Sequence, residues 1–160
     1  MQVIIRKATI EDAPQMLELI KELALFEEEP DEVEITAKEL EADGFGTSPA
    51  FTCFVAENNN SIVGMALVYY RYSTWKGKVI HLEDLIVKQD SRGMGIGTLL
   101  LDKVIKFSSN LGVKRISWEV LDWNEPAIDF YEKKGARIMR DWDVVQLDEK
   151  GIKNYLSRIN

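Results

Sequence analysis

Apolar residues recur along this chain with two periods, and the order in which those periods alternate predicts its elements. Between Ile10 and Phe26 the residues Ala13, Met16, Leu17, Ile20, Leu23 and Ala24 fall at helical intervals, which predicts an amphipathic helix with those side chains on its inner face. Val3 to Arg6 reads as a short strand before it. Ala37 to Ala42 reads as a second helix after it, closed by the turn residues Asp43-Gly44-Phe45-Gly46. Three stretches rich in β-branched and aromatic residues follow: Phe51 to Glu57, Ile62 to Tyr72 and Val79 to Val87. Asn58-Asn59-Asn60 and Lys76-Gly77 separate them, so they read as an antiparallel meander. Helical spacing returns at Ile96, Leu99, Leu100, Val104 and Phe107, predicting a helix that begins near Gly95. Beyond it the pattern predicts a strand over Arg115 to Val120, a helix over Glu125 to Lys134 stopped by Gly135, a strand over Val144 to Leu147 and a short C-terminal helical segment. A meander followed by a βαβ unit is a mixed α/β (α+β) arrangement, with a central, mostly antiparallel sheet flanked by helices.

Length adds one domain to this picture. At 160 residues the chain is expected to form a single domain over 1–160, with no linker, internal repeat or low-complexity tract to divide it. No apolar run is long enough to span a bilayer, and Met1-Gln2-Val3-Ile4-Ile5-Arg6 does not resemble a secretory signal; a cytoplasmic protein without a membrane partner is expected. The net charge of −7 argues against nucleic acid and favours cationic partners. Much of the excess lies in Glu27, Glu28, Glu29, Asp31, Glu32 and Glu34, a run that reads as a solvated loop in which one or two acids could still face a substrate amine.

Cys53 is the only cysteine, which excludes an internal disulfide, and its setting in Phe51-Thr52-Cys53-Phe54-Val55-Ala56 reads as a buried strand position rather than a nucleophile. His81 is the only histidine, so a multi-histidine metal site is excluded. It is read as a strand residue near the site and not as the catalytic base.

The chemistry concentrates in Arg92-Gly93-Met94-Gly95-Ile96-Gly97, directly after the apolar stretch Leu82 to Val87. Three glycines in five positions let the backbone turn its amide groups toward a bulky anion, and the helix that follows adds its positive end. Thr98-Leu99 does not supply the Lys-Ser/Thr of a P-loop, and the glycine spacing departs from G-x-G-x-x-G. What remains, Arg-x-x-Gly-x-Gly between a strand and a helix, is similar to the coenzyme A signature of the GCN5-related N-acetyltransferase (GNAT) superfamily. The predicted order of elements matches that fold along nearly the whole chain.

Within the superfamily, Asp43-Gly44-Phe45-Gly46, Trp75-Lys76-Gly77, Leu82-Glu83-Asp84, Trp123-Asn124-Glu125-Pro126 and Phe130-Tyr131 resemble the diamine (spermidine/spermine) N-acetyltransferase group. Tyr72-Ser73-Thr74-Trp75 stands where the polyamine enzymes have Tyr-Asp-Pro-Trp. That stretch and Val120-Leu121-Asp122-Trp123-Asn124 are more similar to the members that acetylate thialysine.

The resemblance implies an acetyl-CoA-dependent N-acetyltransferase acting on a small primary amine, with lysine-like amino acids ahead of polyamines and no metal required. Alternatives are a spermidine/spermine acetyltransferase, a protein acetylase, and a non-catalytic acyl-CoA-binding regulatory protein. Chemically, the acceptor amine must lose a proton, because a free alkylamine has a pKa of about 10.4. By resemblance Glu83 contacts the amine and relays that proton, while Asp84 is a substrate-site or structural acid. As neighbours on one strand, Glu83 and Asp84 are expected on opposite faces, with His81, Leu85 and Val87 sharing the face of Glu83.

The resemblance makes Tyr131 the acid that protonates the departing thiolate. If Asn124 caps its helix, Asn124 and Tyr131 lie two turns apart on one face. Coenzyme contacts are expected from Leu85, Ile86 and Val87 by backbone hydrogen bonds, from Arg92, Gly93, Met94, Gly95, Ile96, Gly97 and Thr98 in the cradle, and from Asn124, Glu125, Pro126 and Ala127. Substrate contacts are implied for Phe26, Glu27, Glu83, Asp84, Ser117, Trp118 and Glu119. The family also implies a homodimer, and Trp142, Val144, Val145 and Leu147 could serve a subunit contact or finish the core.

Overall fold

The three apolar, β-branched stretches pair in sequence order because short turns leave each strand no other neighbour. In the computed structural model, which describes residues 2–159, β1 (Ile4–Lys7), β2 (Thr52–Asn58), β3 (Ser61–Ser73), β4 (Gly77–Val87) and β5 (Ile116–Ser117) form one sheet in the order β1-β2-β3-β4-β5. The first four are antiparallel, and β5 joins β4 in parallel. The β2–β3 hairpin turns through Asn59 and Asn60, both with positive φ (49° and 62°), the conformation that a two-residue turn between twisted strands demands and that asparagine tolerates.

Helices cover both faces of this sheet. α1 (Ala13–Phe26) follows a 3-10 turn over Ile10–Asp12, and its Ala13, Met16 and Leu19 are fully buried against Cys53, Val55, Met65, Leu67 and Ile86. Leu17, Ile20 and Leu23 of the predicted inner face pack at the margin; Leu19, not expected there, lies at its centre. α2 (Ala37–Phe45) starts with a reciprocal cap: Glu39 N–H donates to Thr36 Oγ1 at 3.2 Å, and Thr36 N–H donates to Glu39 Oε2 at 2.8 Å. It runs through Asp43-Gly44-Phe45, so only Gly46 of the predicted turn closes it.

On the opposite face α3 (Ile96–Asn110) packs through Leu100, Leu101 and Val104, with Phe107 edge-on to Phe54 at 5.2 Å. Gly64 allows this approach. A Cβ there would stand 2.9 Å from the Ile86 carbonyl oxygen and 3.2 Å from Leu100 Cδ1.

The chain divides between Glu119 and Val120 into two compact units, the sheet and α1–α3 making up the first. The second contains α4 (Glu125–Lys133) and α5 (Glu149–Ile159). Two strand expectations need correction. Arg115 to Val120 shortens to Ile116–Ser117, because its ladder with β4 lasts only as long as Ile80↔Ile116 and His81↔Ser117. Val144 to Leu147 forms no strand, and Val144, Val145 and Leu147 stay exposed, as does Trp142. Alternation of residue types suits a strand but cannot supply the partner whose hydrogen bonds make one. Among the described residues no helix is long and apolar enough to cross a membrane.

Two buried groups complete the first unit. Cys53 is a core side chain, 2% exposed, and burial pushes its thiol up, far from the range of a reactive thiolate. Asp12 is nearly as buried but charged, and its stability depends on Arg6. Arg6 Nη1 and Nη2 donate to the two carboxylate oxygens of Asp12 at 2.7 and 2.9 Å while Nε reaches Glu57, so β1, β2 and the start of α1 are tied by one guanidinium. The Arg6 hydrogen bonds hold the Asp12 carboxyl below its ordinary value.

Arg6→Ala is therefore expected to lower unfolding stability by about 2 kcal/mol at neutral pH, because it strands a buried carboxylate. A depressed folded-state pKa adds stability above the unfolded value and loses it as the pH falls through the folded one. The difference between Arg6→Ala and the parent in urea unfolding should thus shrink in acid below about pH 4.

Candidate active site

The centre of the site is an irregularity in β4. Tyr69 pairs with His81 and Val68 with Leu82, but Leu67 pairs with Asp84, so Glu83 has no opposite number on β3. A bulge of this kind shifts the pleat by one residue. Register then places Asp84 in the row of Cys53 and Leu67, the α1 face, while His81 and Tyr69 occupy that same face before the bulge.

Glu83 and Asp84 are consequently not on opposite faces, as simple alternation predicts. Glu83 reaches the α1 side, where its Oε2 accepts a 2.9 Å hydrogen bond from the Tyr69 hydroxyl and stands 3.5 Å from His81 Nε2. Leu85 and Val87 move to the opposite face: they pair with Ala66 and Gly64, and Val87 Cγ2 approaches the Gly64 position from the α3 side.

Four acids surround this point. Burial, then the nearby charges of Glu83 and Glu27, push the Asp84 carboxyl up to about 7. Burial and Glu83 raise Glu27 at the C-terminal end of α1 in the same way. Glu119 is close enough to act electrostatically on Tyr69 and His81, where Arg71 opposes it. The Tyr69 phenol rises to about 12, through burial and its bond to Glu83. Ser117 Oγ lies 3.0 Å from His81 Nδ1, and Trp118 follows it, half-buried. An enclosure with this surplus of negative charge and few cations suits an ammonium ion.

A second feature lies beyond the end of β4. Arg92 Nε donates to the Val87 carbonyl at 2.9 Å, and its guanidinium sits 5.4 Å from the centre of the Phe26 ring. The turn is also tied to α1, where Glu22 Oε1 accepts from Gln89 N–H at 3.0 Å. Gly93 and Gly95 both have φ of 78°, with open space where a Cβ would stand, and Gly95 is the cap from which α3 starts. Met94 is half exposed between them. The Ile96, Gly97 and Thr98 N–H groups belong to the first turn of α3, where helix geometry provides no internal acceptor. An open glycine turn, an arginine and a helix start fit a pyrophosphate. Among the described residues the edge of Leu85, Ile86 and Val87 away from β3 carries no strand, since β5 ends its pairing at His81. That edge fits an extended amide-bearing arm.

The second unit holds the other expected residues. Asn124 caps α4, its Oδ1 accepting from Ala127 N–H at 3.4 Å, and Glu125 and Pro126 occupy the first turn. Ile128 and Tyr131 are the buried positions of α4, so Asn124, Ile128 and Tyr131 share one stripe. The Tyr131 ring lies edge-on to Phe130 at 5.5 Å.

Tyr69 and Arg71 were not anticipated from the sequence. The pairing of Ser73 with Gly77 at the β3–β4 turn would have placed Tyr69 beside His81, had the register been read from it.

Residues 14–136 match the family described as the Acetyltransferase (GNAT) family. Thialysine N-epsilon-acetyltransferase of Bos taurus is 42% identical over 143 residues, covering 84% of either chain. The Homo sapiens spermidine/spermine N(1)-acetyltransferase-like protein 1 is 39% identical over 139 residues, 82% of this chain and 20% of that longer protein. Among solved structures, an integron cassette protein from the mobile metagenome of V. cholerae superposes with a TM-score of 0.79 at 19% identity, covering 98% of both chains, and shares the fold.

A carboxyl group whose pKa is raised by burial destabilises the folded state once it loses its proton. Between the ordinary aspartate value and about 7 the folded chain holds a proton that the unfolded chain has released, so Asp84 lowers stability as the pH rises through that window. Asp84→Asn should therefore raise the melting temperature by roughly 5 °C at pH ~8. The gain should vanish at pH ~4, where the folded Asp84 carboxyl is neutral like the amide that replaces it. Equal gains at both pH values would mean that the charge on Asp84 is not the cause.

Proposed function

The chain belongs to the acetyltransferase (GNAT) family and is an acetyl-CoA-dependent amine N-acetyltransferase, and we propose that its acceptor is the side-chain amine of thialysine or a related lysine-like amino acid. The acid cluster of Glu27, Glu83, Asp84 and Glu119 carries this reading, because a cation entering it offsets the burial and, after it, the repulsion that raise Glu27 and Asp84. The match to a bovine thialysine acetyltransferase along most of both chains supports the choice of acceptor.

Acetyl-CoA supplies an activated acetyl group as a thioester. The residues that suit its pyrophosphate are Arg92, Gly93, Met94, Gly95, Ile96, Gly97 and Thr98, with Leu85, Ile86 and Val87 offering backbone partners to the pantetheine arm. From the second unit, Asn124, Glu125, Pro126 and Ala127 at the start of α4 are assigned to the coenzyme as well.

Phe26, Glu27, Ser117, Trp118 and Glu119 bind and orient the acceptor, and Asp84 tunes the charge around it. Glu83 takes the proton that the ammonium must lose before its lone pair can attack the thioester carbonyl. The N–C bond forms, the nitrogen gives up its second proton to solvent, the C–S bond breaks, Tyr131 gives its phenolic proton to the departing sulfur, and Glu83 releases to solvent the proton it took. A proton returns to Tyr131 from solvent. Backbone N–H groups of β4 face the carbonyl oxygen and stabilise the charge it acquires. We assign both units to one catalytic domain over 1–160, a reading supported by the family match across their junction at Glu119 and Val120. A cytoplasmic homodimer is part of the same proposal and draws its support from resemblance to the diamine acetyltransferases.

Thiol release from acetyl-CoA, measured with thialysine, lysine, ornithine, putrescine, spermidine, spermine and a lysine peptide, tests the acceptor. The highest kcat/KM is expected with thialysine or lysine; a preference for spermidine or for the peptide would overturn it. Tyr131→Phe should lower kcat by about 100-fold while leaving acetyl-CoA affinity within about twofold. Unchanged kcat would remove Tyr131 as the acid.

A further inference from the structure

The row formed by Ser117, His81, Glu83 and Tyr69 crosses β5, β4 and β3 on one face of the sheet. Its geometry restricts the imidazole. Nδ1 lies 3.0 Å from the Ser117 hydroxyl and Nε2 lies 3.5 Å from Glu83 Oε2. A neutral ring has one N–H and one lone pair. If the proton were on Nδ1, the Nε2 lone pair would face a carboxylate oxygen, a repulsive arrangement. With the proton on Nε2, the ring presents a donor to Glu83 and accepts from Ser117, so both neighbours are satisfied.

The surroundings keep that ring neutral. His81 is 5% exposed, and burial lowers its pKa. Glu83 on the same strand and Glu119 beyond β5 pull the other way, while Arg71 from β3 adds to the lowering. Tyr69, whose ring lies 5.3 Å from the imidazole, closes the remaining side.

Glu83 itself has a side chain 52% exposed to solvent. Left alone, such a carboxylate samples several rotamers, and fixing it costs side-chain entropy. Two donors directed at the same oxygen pre-organise it instead.

We propose that His81 is a positioning residue for amine acetylation: in the tautomer set by Ser117, its Nε2–H and the Tyr69 hydroxyl hold Oε2 of Glu83, leaving Oε1 as the oxygen that meets the substrate ammonium. The inference rests on the assignment of Glu83 as the base. It gives Ser117 a second task beside its contact with the acceptor, and it explains why a lone histidine is buried beside a carboxylate without forming an ion pair. Nε2 and Oε2 stand 3.5 Å apart, so the positioning role requires this contact to tighten as the amine binds.

Because the chain contains one histidine, ¹⁵N labelling of imidazole nitrogens gives an unambiguous spectrum. The Nε2–H tautomer is expected at neutral pH, with Nδ1 shifted as a hydrogen-bond acceptor, and Ser117→Ala should mix the two tautomers. A wild-type ring protonated on Nδ1, or a Ser117→Ala spectrum identical to wild type, would overturn the proposal whether or not other variants fold.

In kinetics, His81→Phe should lower kcat/KM for the amine by about tenfold, while KM for acetyl-CoA stays unchanged. His81→Gln, whose amide can place an N–H near the position of Nε2, should recover most of that loss. A folded His81→Phe protein with wild-type amine kcat/KM would refute the positioning role. Glu83→Gln, measured in parallel, separates the two levels. Loss of turnover in Glu83→Gln with no change in His81→Phe removes only the role of His81, whereas full turnover in Glu83→Gln removes the base on which it depends.

Discussion

Between Leu67 and Val68, β4 carries one residue more than β3 has places for, and the candidate site is organised around accommodating it. A regular strand would turn Asp84 toward α3 and leave Glu83 as the only acid beside His81 and Tyr69. The extra residue brings both acids to the α1 face and simultaneously rotates Leu85 and Val87 toward α3. One local shift of the pleat thus separates β4 into a segment that gathers charge and a segment whose outer backbone edge pairs with no strand among the described residues. Leu82 and Ile86, buried on opposite helical faces on the two sides of the bulge, fix its position, because a one-residue slip of β4 would replace buried Leu82 by His81 or Glu83.

The electrostatics follow from the same displacement. Asp84 enters a buried setting within range of Glu83 and Glu27, and the protein tolerates this by letting a carboxyl keep its proton into the neutral range. Such a site costs stability in the absence of substrate and recovers part of the cost when a cation enters. Arg6 and Asp12 show the opposite solution at the far edge of the sheet, where a bidentate guanidinium removes any need for protonation. The contrast marks one pair as structural and the other cluster as suited to exchange charge with a ligand.

Most of the fold was legible in the sequence because its signals are local. The Asn59-Asn60 turn, the apolar stripe of α1 and the glycine run before α3 each declare themselves within a few residues. Leu19 was missed because the stripe on α1 is wider than the spacing used to find it. Strand extent at Arg115 to Val120 and at Val144 to Leu147 was misjudged, since it depends on partners far away in sequence. The candidate site divides along the same line. Glu83, Asp84 and the glycine cradle stand in short motifs, whereas Tyr69 joins Glu83 only through cross-strand register, and the common face of the two acids follows from a bulge that no composition rule announces.

Cys53 has a consequence for an enzyme whose turnover liberates a free thiol. Coenzyme A released into solution oxidises readily, and its disulfides exchange with any accessible protein thiolate. Here the one cysteine of the chain sits in the core row beside Leu67, 2% exposed and held as a thiol. The catalyst therefore offers its own product no sulfur to couple with, and its activity should be indifferent to the oxidation state of the coenzyme pool around it.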